Sequence, residues 1–134
     1  MKTKKVKVAG LSGAALDWAV CMAKGLQPED IYVQKWGSLP ASLFLRNRDE
    51  DGKLDGSYTT GPDLLFSRKW EAMGPIIERV PIQVGKAQIS VSFVAYSQNG
   101  VSCQQFGNTP LIAAARCYVA SKLGEEVEVP EELV

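Results

Sequence analysis

The chain predicts an α+β fold: an antiparallel β-sheet with two α-helices, about 13–24 and 110–123, packed on one side. Three observations carry that prediction. Apolar residues recur at helical spacing near both ends, the segment between them alternates polar and apolar, and glycine, proline and asparagine punctuate the alternation at turn spacing. The 134 residues, 46% of them apolar, suffice for one domain with its own core, taken as 1–124 with 125–134 as an acidic C-terminal tail.

The first helix follows Ser12, a good N-cap, with Leu11 and Leu16 at the two positions of a hydrophobic staple and Gly25 as its stop. Its apolar residues form two adjacent stripes, Leu16, Ala19, Val20 and Ala23 beside Ala15, Trp18 and Met22. Only a narrow polar line of Asp17, Cys21 and Lys24 remains. The second helix has Thr109 as N-cap, Pro110 at its first position and Gly124 past its end. Ala113, Ala114, Ala115 and Ala120 permit close approach of another backbone, either the first helix or the same helix of a second subunit.

Ile89, Val91, Phe93 and Ala95 alternate with Ser90, Ser92, Val94 and Tyr96, which predicts a long hairpin from about Ile76 to Ser97 turning at Gly85-Lys86. Asn99-Gly100 is a second hairpin signal, returning the chain through Val101 to Gln104. Shorter strands are predicted at Lys5–Ala9, Ile31–Gln34 and Leu43–Arg46. Gly74-Pro75 is read as a sharp turn into the strand at Ile76.

Composition excludes several classes of function. There is no histidine, which removes most hydrolase triads and most zinc or iron sites. Lysine plus arginine equals aspartate plus glutamate at 15 each, so no global positive field draws nucleic acid to the chain. The charge is uneven, with Lys2, Lys4, Lys5 and Lys7 at the start and Glu125, Glu126, Glu128, Glu131 and Glu132 at the end. Both clusters are read as solvated, with mutual attraction as the alternative. Three cysteines without Cys-x-x-Cys spacing fit a reducing compartment; Cys21 and Cys117 read as core residues, and Cys103 is the one placed for reactivity. No long apolar run and no leader pattern appear, so the expectation is a cytosolic protein with no membrane partner.

Two constellations invite chemistry. Asn47 to Asp55 matches the first nine positions of a calcium loop, with oxygens at one, three, five and nine and Gly52 at six, but Tyr58 stands where a carboxylate should close the sphere. An acidic surface hairpin turning at Asp51-Gly52 explains the same residues without a missing ligand and is preferred, so no metal and no cofactor is assigned. The second constellation is Trp36, Tyr58 and Trp70 with Arg68, Lys69 and Arg79 near by, an arrangement that holds an anionic aromatic ligand by stacking and charge pairing. Volume-filling under long loops is the competing reading. Asp17, Glu71 and Glu78 form no pair with catalytic spacing, and neither a phosphate-binding loop nor a Gly-x-Ser-x-Gly element is present.

Three blocks then carry a resemblance. Leu11-Ser12-Gly13-Ala14-Ala15-Leu16-Asp17-Trp18-Ala19-Val20, Trp70-Glu71-Ala72-Met73-Gly74-Pro75-Ile76-Ile77-Glu78, and the run from Thr109-Pro110 through Arg116 to Lys122-Leu123-Gly124 resemble the NinX-like family of small tailed-bacteriophage and prophage proteins. The stretch from Tyr58 through Lys69 departs from the family's pattern. The resemblance implies a phage accessory protein acting in the cytoplasm of the bacterial host. The favoured function is a noncatalytic binder of a small anionic ligand, a nucleotide-type host-defence signal, through Tyr58, Arg68, Trp70, Gly74 and Arg79. The alternatives are a protein-binding regulator of a host or phage protein and a nucleotide-processing enzyme. The apolar and small-residue surface of both helices predicts a homo-oligomer.

Overall fold

The computed structural model describes residues 2–34, 42–59, 66–80, 82–86, 93–97 and 104–133. In chain order these are β1 (Thr3–Lys7), a 3-10 turn (Val8–Gly10), α1 (Gly13–Ala23), a 3-10 turn (Pro28–Asp30), β2 (Ile31–Gln34), β3 (Ser42–Arg48), β4 (Leu54–Thr59), α2 (Trp70–Arg79), β5 (Ile82–Lys86), β6 (Phe93–Ser97), β7 (Gln104–Gly107), α3 (Pro110–Leu123), β8 (Glu126–Pro130) and a last 3-10 turn (Glu131–Leu133). The class is α+β and every described strand pair is antiparallel. The single expected sheet is instead three, ordered β1-β8, β2-β3-β4 and β5-β6-β7, and three α-helices stand among the described residues where two were expected.

The two expected helices form, although Ser12, at the N-cap position of α1, makes no side-chain cap hydrogen bond. In α1, Leu11 and Leu16 are both buried, as a staple requires. The helix ends in a Schellman motif, in which the N–H of Leu26 reaches the Cys21 carbonyl at 3.1 Å and that of Gly25 reaches Met22 at 3.0 Å. That motif needs the left-handed backbone that Gly25 supplies at φ +92°. In α3 the Thr109 hydroxyl accepts from the Ile112 N–H at 3.1 Å. The alanine run of α3 is buried, and this helix packs against α1, α2, β5, β6, β7 and β8. The alanine face of α3 therefore meets elements of its own chain. Gly107 shows how tight the entry to α3 is: a Cβ there would lie 2.7 Å from the Ala113 nitrogen and 2.8 Å from Ile112 Cγ2.

Gly74 and Pro75 do not break the chain into a turn, and Ile76 does not begin a strand. Both glycine and proline lie inside α2, and the strand begins at Ile82. Met73 and Ile76 are buried, with Ala72, Ile77 and Val80 packed beside them, a helical spacing that places one face on the core. Burial of that face outweighs the local penalty, roughly 1 kcal/mol for an interior glycine and roughly 3 kcal/mol for an interior proline. In the first turn the Ala72 and Met73 N–H groups share the Lys69 carbonyl at 3.2 and 3.3 Å, as is common at helix ends.

Gly85 and Lys86 are likewise not a turn: they pair with Val94 and Phe93 inside β5 and β6. The expected strand residues Ile89–Ser92, the Asn99-Gly100 turn and the start of its return at Val101 lie outside the described residues. Of the shorter strands, Ile31–Gln34 stands as β2 and Leu43–Arg46 lies within β3, whereas Lys5–Ala9 is displaced toward the N-terminus as β1, with Val8 and Ala9 in a 3-10 turn.

The expected acidic tail is also corrected, because residues 126–130 form β8 against β1. Glu126, Val127, Glu128 and Val129 alternate, and the two valines and Pro130 are buried, so period-two burial decides the segment where composition suggested solvent. The basic and acidic ends face one another, Lys5 opposite Glu128 and Lys7 opposite Glu126. The exposed Lys5–Glu126 ion pair, at 3.7 Å, adds little beside the ladder itself.

Candidate functional site

The start of α2 gathers most of the residues the sequence singled out. Trp70 is the first helical residue, and its side chain is 57% exposed. Lys69 holds the N-cap position in extended backbone without a side-chain cap, so the helix opens with donor groups unclaimed by any cap residue. Arg68 precedes it, half-exposed. Gly74 lies one turn after Trp70 on the same side, leaving room beside the indole. Glu71 also sits in this first turn, exposed.

Arg79 does not join them. It ends α2, roughly 13 Å along the axis from Trp70 and about 180° around it. Its charge instead reaches Tyr118 of α3, where it opposes the upward push that burial gives the phenol. Tyr58 lies in β4 opposite Arg46, and its side chain falls outside the described residues, as do Trp36 and Cys103.

Behind Arg68 lies a residue whose role the sequence misread. Asp17 was placed on a polar line of α1, yet its side chain is only 1% exposed. Its Oδ1 accepts the Ser67 backbone N–H at 2.8 Å, tying the 66–68 turn to α1 across the fold. Its Oδ2 faces the Arg68 guanidinium, Nη2 at 3.7 Å, and makes no hydrogen bond; the buried Ser67 hydroxyl has no hydrogen-bond partner either. Burial pushes the Asp17 carboxyl above its ordinary 3.8, against the opposing pull of the Ser67 N–H hydrogen bond and the Arg68 charge. The signal was legible in retrospect: a polar line squeezed between two apolar stripes has little width left for water.

At the C-terminal end of α1, Lys24 places its Nζ 5.2 Å from the centroid of the buried Phe66 ring. Cys21 and Cys117, read as core residues, are both buried, and the Cys21 thiol is pushed up to about 12 by burial and by the Asp17 charge. On α3, Arg116 donates from Nε to the Leu11 carbonyl at 2.8 Å and from Nη1 to the Phe106 carbonyl at 2.6 Å, a clamp between the entry to α1 and the edge strand β7.

The segment from Asn47 to Asp55 is the acidic hairpin. Strands β3 and β4 flank it where a calcium loop needs helices, and Asp49 Oδ1 is occupied by the N–H groups of Asp51 and Lys53 at 3.0 and 2.9 Å. Arg48 locks it to the turn before β2, reaching Asp30 Oδ1 at 2.6 Å and the Gly52 carbonyl at 2.7 Å. Among the described residues, no group of three or more cysteine, aspartate or glutamate side chains is placed to hold a metal ion. A cavity of about 530 Å³ between Thr3, Trp18, Met22, Pro28, Glu29 and Glu128 includes none of the predicted binding residues. No helix among the described residues is long and apolar enough to cross a membrane.

Residues 7–122 match the family model described as Bacteriophage P22, NinX, a span that contains Asp17, the 66–68 turn and all of α2. No curated protein matches the chain.

Proposed function

This chain belongs to the NinX family of bacteriophage P22, and we propose that it is a phage accessory protein that binds a small anionic ligand, a nucleotide, without transforming it. The observation that carries this reading is the exposed indole of Trp70 at an uncapped helix start, flanked by Arg68 and Lys69. A tryptophan left 57% exposed offers a face for stacking, two cations offer charge, and the helix start offers oriented N–H donors. The residues of this site supply attraction and orientation; the carboxylate beside them, Asp17, is engaged in holding the chain together.

Calorimetric titration of the full chain against inorganic phosphate, pyrophosphate and a panel of nucleotides tests the reading. At least one nucleotide binds, and Trp70→Ala weakens it by the loss of one stacked base, about 1–3 kcal/mol. Silence across the panel sinks the proposal, and sustained turnover of a bound nucleotide by purified protein overturns its noncatalytic half.

A protein partner is the second reading, favoured by Phe106, 50% exposed on the edge strand β7. That edge is partly occupied already, because Arg116 takes the Phe106 carbonyl that a docking strand would use.

A further inference from the structure

We infer that the cavity of about 530 Å³ bounded by β1, α1, the Pro28–Asp30 turn and β8 is a binding site for a small aromatic amine, a ring that carries an ammonium on a short chain. It shares no lining residue with the start of α2, so it stands or falls separately from the anion-binding reading above. Its volume lies within the range that small ligands occupy, roughly 300–1,000 Å³. Trp18 and Met22 line it from one face of α1, a single turn apart, and Pro28 adds a third apolar side chain from the turn. Indole and thioether both pack favourably on an aromatic ring.

The charged part of the lining has one sign. Glu29 and Glu128 border the cavity, and no lysine or arginine lines it. The cations beside them in the fold are committed to other carboxylates: Arg48 to Asp30 at 2.6 Å, and Lys5, which stands opposite Glu128 in the ribbon, to Glu126 at 3.7 Å. Among the described residues neither the Glu29 nor the Glu128 side chain makes a salt bridge or hydrogen bond. A pocket with an apolar floor and two such carboxylates draws in an ammonium and turns away a carboxylate or phosphate, so charge decides what enters. Both glutamates are exposed, so each acts partly through water and the selectivity each gives is modest. The floor supplies the affinity and the glutamates set the sign of the ligand.

NMR shift titrations of the full chain with phenethylamine, phenethyl alcohol and hydrocinnamate test the inference. The three share a ring and differ in the charge they carry. The amine binds about tenfold more tightly than the alcohol and the acid binds most weakly, with the shifts centred on the Trp18 indole N–H, Met22 and Glu29. Glu29→Gln and Glu128→Gln change exposed side chains and leave the fold intact; each lowers amine affinity about threefold without changing that of the alcohol, and the double variant binds amine and alcohol alike. Equal binding of amine and alcohol by the native chain, an amine preference that survives the double variant, or shifts that gather away from α1 overturns the inference. Silence from all three ligands does the same. None of these results bears on the nucleotide titration at Trp70, which is read separately.

Discussion

Helices α2 and α3 pack against each other, yet they are built on opposite terms. α3 begins on a threonine that caps it, places proline at its first position, ends before a glycine and is buried along most of its length. α2 begins on an uncapped lysine, carries glycine and proline in its interior, and buries one narrow face through Met73 and Ile76. One helix is specified by its own sequence; the other is held by what it touches. The site follows from that difference, since a helix start without a cap is a start that a ligand can complete.

The comparison breaks first at Met73. If packing alone holds α2, Met73→Ala costs about 2–5 kcal/mol, and hydrogen exchange shows α2 amides losing protection before those of α3. Equal protection of the two helices in that variant would show that α2 has stability of its own. A smaller effect separates the helix starts. Thr109→Ala removes the cap of α3 and costs about 1 kcal/mol in thermal or denaturant unfolding. Lys69→Ser supplies the missing cap to α2 and raises stability by a few tenths to about 1 kcal/mol, while weakening nucleotide binding at the same place.

The smallest effect is the pH dependence from Asp17. Burial raises its folded carboxyl above the ordinary 3.8, so between those two values the folded chain holds a proton that the unfolded chain has released. Stability from this group is therefore full below 3.8 and is lost as pH rises through the folded value. Asp17→Asn abolishes that slope, and denaturant midpoints measured from pH 4 upward detect it; a slope that persists in the variant assigns it to another group.

What could be read in the sequence was whatever local chemistry decides. Both ends of α3, the staple and glycine stop of α1, and β2 follow from cap residues, turn residues and periodicity. What escaped was decided by partners far along the chain. Gly74 and Pro75 announce a turn to any local reading, and only the fit of Met73 and Ile76 into the core overrides them. The glutamates of β8 announce a tail, although the valines between them carry the strand period. The role of Asp17 was hidden because nothing near it in sequence reveals Ser67 as its partner. The same holds for the site: Arg68, Trp70 and Gly74 were legible as a cluster, whereas Arg79 was drawn in by closeness in sequence and is turned away by the helix between them.

The ribbon of β1 and β8 has a consequence for how the protein is made. β1 leaves the ribosome before α1, α2 and α3, and its mate β8 leaves after them, with Lys7 opposite Glu126 and Thr3 opposite Pro130. During synthesis β1 therefore stays an open edge until β8 emerges. A message cut short just before Glu126 would yield a chain that has α1, α2 and α3 and no way to close its seam.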